Sequence, residues 1–174
     1  MLNTLLLPSL ILILGALALP FINKHLRPIL LVGLPLLTLT QVWSYDLGSE
    51  LTINFLDYKL TPLKLDALSR LFATIFAIMA AVGGLYAINQ KRTIELVAAL
   101  IYAGSAIGVT MAGDLITVFV FWEIMAIAST LIIWSAATAA AYKASMRYIL
   151  IHLFGGVLLM AGIVWLVAST ESVE

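Results

Sequence analysis

The chain has 174 residues, of which 63% are hydrophobic and only 10% charged, with nine basic residues balancing nine acidic ones. A soluble globular chain averages ~25% charged residues, so this composition excludes one. A mean hydropathy of +1.13 and apolar runs near the ~20 residues that cross a hydrocarbon core point to an all-α, polytopic transmembrane protein. Zero net charge gives no electrostatic case for nucleic acid. The absence of cysteine excludes disulfides and thiolate-held metals or clusters. With only His25 and His152 as histidines, no metal site and no cofactor are expected.

Six spans are predicted, near 3–22, 29–45, 67–88, 95–112, 115–136 and 145–168. In the first, Ala16-Leu17-Ala18 has the form of a signal cleavage site. The preceding "MLNTLLLPS" lacks a basic region, and Lys24 and Arg27 follow the apolar run, so this span reads as a retained helix. Between the second and third spans, residues 46–66 form one long external loop. There Leu51, Ile53 and Phe55 alternate with Thr52 and Asn54, which fits a small hairpin about as well as an irregular loop. Pro62 limits any strand after it. Asp66 and Asp114 stand where they can cap the third and fifth helices.

The fourth span carries Gly104, Gly108 and Ala112 at spacing four, a stripe that lets another helix approach, from this chain or a partner. Gly155-Gly156 and Gly162 could serve the sixth span in the same way. Only Gly113-Asp114 separates the fourth and fifth spans, which demands a tight turn. "TAAAYKASMR" reads as the connection before the sixth. The natural division is three N-terminal helices in 1–94 and three more in 95–174. Trp43, Trp122, Trp134 and Trp165 read as belt or packing residues.

Glu123 interrupts the apolar run "DLITVFVFWEIMAIAST". Measured from Asp114 and Ala136, it lies roughly 14 Å from one end of its helix and roughly 20 Å from the other. A charged residue at that depth costs roughly 2.5–3.5 kcal/mol on insertion scales and marks a functional site by default. Its own face, with Phe119, Val120, Ala126, Ile127 and Thr130, is apolar and partly small, so the acid is expected to face protein or a narrow hydrated cavity. Burial disfavours the charged form of a carboxylate and a nearby cation favours it, which makes such a group a proton-binding switch. No lysine or arginine lies inside a span except Arg70, near the end of the third. His152 is a second candidate: histidine titrates near neutrality and suits a proton relay, although a neutral interhelical histidine fits the sequence equally. His25 belongs to a basic loop and reads as a solvated side chain.

At these residues the chain resembles a known family. "DLITVFVFWEIMAIAST" is similar to the fifth helix of the antiporter-like subunits of Mrp-type sodium/proton antiporters, respiratory complex I and membrane-bound hydrogenases. "LDALSRLFATIF" (65–76) is similar to the start of their third helix. "ASMRYILIHLFGGVLLMAGI" (144–163) is similar to their sixth, in the style of the Mrp D subunit. The resemblance implies that Glu123 is a proton-translocation residue working with a lysine on a broken seventh helix. Family members have about fourteen helices, and these residues correspond to the N-terminal six. The implied protein is a split or truncated subunit of a multisubunit complex in a prokaryotic cytoplasmic membrane. Other membrane subunits would be its partners, one of them supplying the lysine-bearing helices. The exchanged cation, sodium or protons alone, stays open, as does the driving force, an ion gradient or a redox arm. The chain by itself then reads as a transporter subunit, and whether its complex is a redox-driven enzyme stays open.

Two other readings compete: a non-transporting assembly module of the same kind of complex, and a haem-binding anchor. The anchor is weak, because one of the two histidines lies in a loop.

The basic residues give the orientation. Lys24, Arg27, Lys91, Arg92, Lys143 and Arg147, six of the nine, fall in alternate loops. The opposite side holds Lys59, Lys64 and Arg70, together with Asp46, Glu50, Asp57, Asp66, Asp114, Glu171 and Glu174. The Lys/Arg bias assigns the first set to the cytoplasm and both termini to the outside. A single cysteine placed at Lys91 should therefore resist an impermeant thiol reagent added outside; ready labelling there would reverse the topology.

Overall fold

The computed structural model describes residues 7–55, 58–170 and 172–173. The described residues form six helices and one hairpin, in the order α1 (Pro8–Ala18, extended by a 3-10 turn Leu19–Phe21), α2 (Arg27–Ser44), β1 (Glu50–Phe55), β2 (Tyr58–Lys64), α3 (Ala67–Tyr86), α4 (Thr93–Met111), α5 (Leu115–Trp134) and α6 (Ala139–Thr170). The last four are long and apolar enough to cross a membrane. Pro8 starts α1 and Pro28 lies in the first turn of α2, where a missing N–H costs nothing. Residues 3–6 of the first expected span, and Asp57, Glu171 and Glu174, lie outside the described residues.

Two expectations are corrected. "TAAAYKASMR" is not a connection: α6 begins at Ala139 and runs for 32 residues, so Lys143 and Arg147 ride on its first turns. An alanine-rich segment propagates a helix readily, and two exposed basic side chains at its end do not oppose it. Pro62 does not end the strand either. Leu51 pairs with Leu63 and Ile53 with Leu60, so β2 carries one extra residue, and Pro62 sits in that bulge, where its missing N–H is tolerated. The loop is thus a hairpin.

Helix α4 is the hub, packing against α1, α3 and α5, whereas α6 packs chiefly on α5. With no hydrophobic force between helices in lipid, close contact depends on small residues. A methyl group on Gly104 would come within 2.9 Å of Ser9 O in α1, and one on Gly108 within 2.5 Å of the Phe121 ring in α5. Both glycines of the stripe are therefore used inside the chain.

The two ends of the bundle differ. At the basic end, Arg27 donates to Thr93 Oγ1 (2.7 Å) and to the carbonyls of Ile22 and Pro20, and Arg92 donates to Ser135 O. These bonds tie the α1–α2, α3–α4 and α5–α6 connections together. At the hairpin end, Arg70 donates to Tyr45 O and lies 5.4 Å from the Trp43 ring centroid. Asp114, 2% exposed, accepts from Thr61 N (2.7 Å), Thr117 N (2.7 Å) and Thr117 Oγ1 (2.6 Å). Gly113 N donates in turn to Thr61 O at 2.8 Å, and Leu115 N to Val173 O at 2.9 Å. Asp66, exposed, forms a capping box with Ser69. The hydrogen bond from Ser69 N holds its carboxyl below the ordinary carboxylate range. That contribution to stability is complete above the unfolded value and is lost as pH falls through the lowered one.

Asp114→Ala would remove the α5 cap and strand the buried Thr61 N–H. It should cost about 3 kcal/mol and clearly lower the unfolding temperature of the purified protein in detergent. Asp66→Ala, at an exposed cap, should lower it less.

Candidate functional site

Glu123 lies on α5, whose twenty residues are apolar apart from this acid and a few hydroxyls. The Asp114 cap starts the helix, so Glu123 comes roughly 14 Å along an axis of about 30 Å, close to the middle. Its side chain is half-buried against α6. The contact is at Gly156: a methyl group there would lie 2.2 Å from Glu123 Oε1 and 3.0 Å from its Cδ. Only a residue without a Cβ lets the carboxylate lie on the α6 backbone at this point.

Oε1 is buried and has no hydrogen-bond partner among the described residues. Arg70 Nε and Ser105 Oγ share that condition, but of the three only Glu123 can bear a negative charge. No lysine or arginine among the described residues forms an ion pair with it; the ion pair present joins exposed Lys64 and Glu50 at 3.6 Å. A cavity of about 270 Å³ flanks the carboxylate, lined by Phe119, Glu123, Leu153, Gly156, Val157 and Met160. Leu153 and Val157 are exposed, at 47% and 66%, so this groove lies on the outer surface of the α5–α6 seam. Of the face expected around Glu123, Ala126 and Thr130 are buried, while Val120 and Ile127 are exposed. A larger apolar cavity of about 620 Å³ between α3 and α4 contains no carboxylate, histidine or basic side chain.

His152 lies four residues before Gly156, hence on the same stripe of α6 and about 6 Å nearer the basic end. Its ring stacks on Tyr148 with centroids 4.4 Å apart and planes tilted by 45°. The Tyr148 and Ser129 hydroxyls are hydrogen-bonded across the seam at 2.9 Å. His25 is exposed in the α1–α2 connection, away from this seam. Tyr148 and Ser129 were missed in the sequence, although Tyr148, His152 and Gly156 recur at spacing four and so share a face. Among the described residues no group of acids and histidines could hold a metal ion.

Residues 112–174, which hold α5, α6 and Glu123, match the family model described as NADH:quinone oxidoreductase/Mrp antiporter, TM. Over this segment the chain is thus similar to the antiporter-like membrane subunits. It is 30% identical over 117 residues to the Na(+)/H(+) antiporter subunit A1 of Staphylococcus aureus strain bovine RF122 / ET3-1, and equally to that of strain Newman. These alignments cover 63% of this chain and 14% of the relatives, so it spans about one seventh of their length. The curated relatives are thus A subunits, whereas the sequence resemblance was drawn to the D style. Two solved structures share the fold. The Mrp complex from Dietzia sp. DQ12-45-1b superposes with a TM-score of 0.80 at 19% identity, covering 99% of this chain and 20% of the other. An archaeal respiratory membrane complex, the membrane-bound sulfane sulfur reductase, superposes at 0.77 with 23% identity, covering 96% and 37%.

A lipid-soluble carbodiimide, which modifies carboxyl groups in apolar surroundings, should reach Glu123 through this groove. Gly156→Ala should displace the carboxylate into the groove and raise that labelling several-fold without unfolding the chain. Unchanged labelling would mean that Gly156 does not hold the carboxylate in place.

Proposed function

We propose that this chain is a proton-translocating, antiporter-like subunit of a multisubunit membrane complex, with Glu123 as its intramembrane proton-binding carboxylate. One observation carries the reading: a carboxylate oxygen buried at mid-helix has no partner among the described residues, and a groove lies beside it. Leaving such an acceptor unsatisfied costs about 1–3 kcal/mol, and the cost falls when a proton or a cation arrives. The chain's basic side chains lie at the helix ends, so we infer that the cation is a lysine or arginine on helices beyond these 174 residues, approaching through the groove. His152 is proposed as a relay to the same carboxylate.

The name of the Staphylococcus aureus relatives supports sodium as the counter-ion. The basic residues gathered at one end of the bundle support a topology with that end in the cytoplasm and both termini outside, and the Staphylococcus aureus relatives support a prokaryotic membrane.

The test is Glu123→Gln in the whole complex. It preserves size and hydrogen bonding but removes titration, so assembly should persist and cation-dependent proton flux in membrane vesicles should fall at least tenfold. Flux near that of the natural chain would leave this subunit an assembly module.

A further inference from the structure

On the α5–α6 seam the polar side chains occur in a line. From Glu123 towards the basic end come His152, one turn of α6 below Gly156, then Tyr148, one turn lower, and Ser129 of α5 facing it. Further towards that end lie the buried Ser145 and the Tyr142 ring, which meets Trp134 of α5 edge-on at 5.9 Å. Tyr148 is held at both ends. Its hydroxyl is bonded to Ser129 at 2.9 Å, and Ser129 Oγ donates to Ala126 O, also at 2.9 Å. Its ring is the face on which His152 stacks. The imidazole is not hydrogen-bonded to any described residue, so both nitrogens can exchange protons.

Resting on the function proposed above, we propose that His152 carries protons between Glu123 and the basic face of the membrane, with Tyr148 and Ser129 as the positioning pair that fixes its ring on that path. The step conserves charge and atoms. A proton from water at the basic face binds an imidazole nitrogen, giving imidazolium. The imidazolium then gives one proton to the Glu123 carboxylate, which becomes neutral, and histidine returns to its neutral form. The remaining gap, about one helical turn or 6 Å along the axis, is one that bridging water spans. Tyr148 touches no reacting atom in this scheme. It acts through His152 by preventing the ring from turning out towards the uncovered face of α6, where Ile151 and Phe154 are 72% and 66% exposed.

The experiment uses the assembled complex in vesicles and compares Glu123→Gln, His152→Gln, His152→Glu and Tyr148→Phe. His152→Gln should slow proton flux at least tenfold while carbodiimide labelling of Glu123 persists. His152→Glu, which restores a titrating group, should recover part of that loss. Tyr148→Phe should slow flux three- to fivefold in the natural background and have no further effect on His152→Gln, because Tyr148 acts through the histidine. A side chain that only supports the fold would not lose its effect in that way. If His152→Gln fails to assemble, Tyr148→Phe alone and combined with His152→Glu is judged by the same criterion. Flux within twofold of the natural chain in His152→Gln, or additive losses in the double variant, with Glu123→Gln still inactive, would overturn this relay and leave the proposed function standing. An active Glu123→Gln would overturn the function itself.

Discussion

The buried carboxylate of Asp114 is the constraint from which the depth of everything on α5 follows. In a hydrocarbon layer a helix terminus cannot leave its first N–H groups without partners. Asp114 satisfies two backbone N–H groups and a hydroxyl at once, one of them in the hairpin. The hairpin, the α4–α5 turn and the start of α5 are thereby one unit, closed on the other side by the bond between Gly113 and Thr61. Once Leu115 is fixed there, the 1.5 Å rise per residue determines where Glu123 stands. A slip of one residue would turn that side chain by about 100° and take it off Gly156.

Glycine does the corresponding work between helices, but with two outcomes. At Gly84 an added methyl would meet the Leu31 carbonyl at 2.3 Å, and at Gly108 it would meet the Phe121 ring. Those are backbone and core contacts, where dispersion between closely packed helices is the return. At Gly156 the neighbour is a carboxylate whose Oε1 has no partner among the described residues, so close approach does not complete its hydrogen bonding. The same residue type serves packing in α3 and α4, and leaves a polar atom in suspense in α6.

What could be read from the sequence divides along this line. Hydropathy and the caps are local properties, so α3, α4 and α5 lie within a few residues of expectation and Asp66 and Asp114 cap as their positions suggested. A single acid amid apolar residues is also local, and Glu123 stood out at once. Which residue of α6 faces it is a matter of register between two helices, and no property of Gly155, Gly156 or Gly162 taken singly separates the three. The Ser129–Tyr148 bond is likewise set by register. The start of α6 was misplaced for a different reason: Lys143 and Arg147 were read as loop charges, whereas at a membrane boundary a helix continues through such residues with their side chains in water.

The distribution of burial shows why the unsatisfied carboxylate sits on this seam rather than deeper in the bundle. Helix α4, enclosed by three neighbours, is 44% buried along its most apolar stretch, while α6 is only 11% buried. Among the α4 contacts a lone negative charge would have no route to a compensating group, and the full desolvation cost would fall on the fold. On the α5–α6 seam one side is closed by Gly156 and the other opens through the groove at Leu153 and Val157. Under the proposed function the cost of the bare oxygen is conditional: it is borne while the groove is empty of charge and relieved when a proton or cation reaches it. Rigid anchorage of α5 through Asp114, set against the lightly covered α6, keeps the acid in place while its surroundings remain open to change.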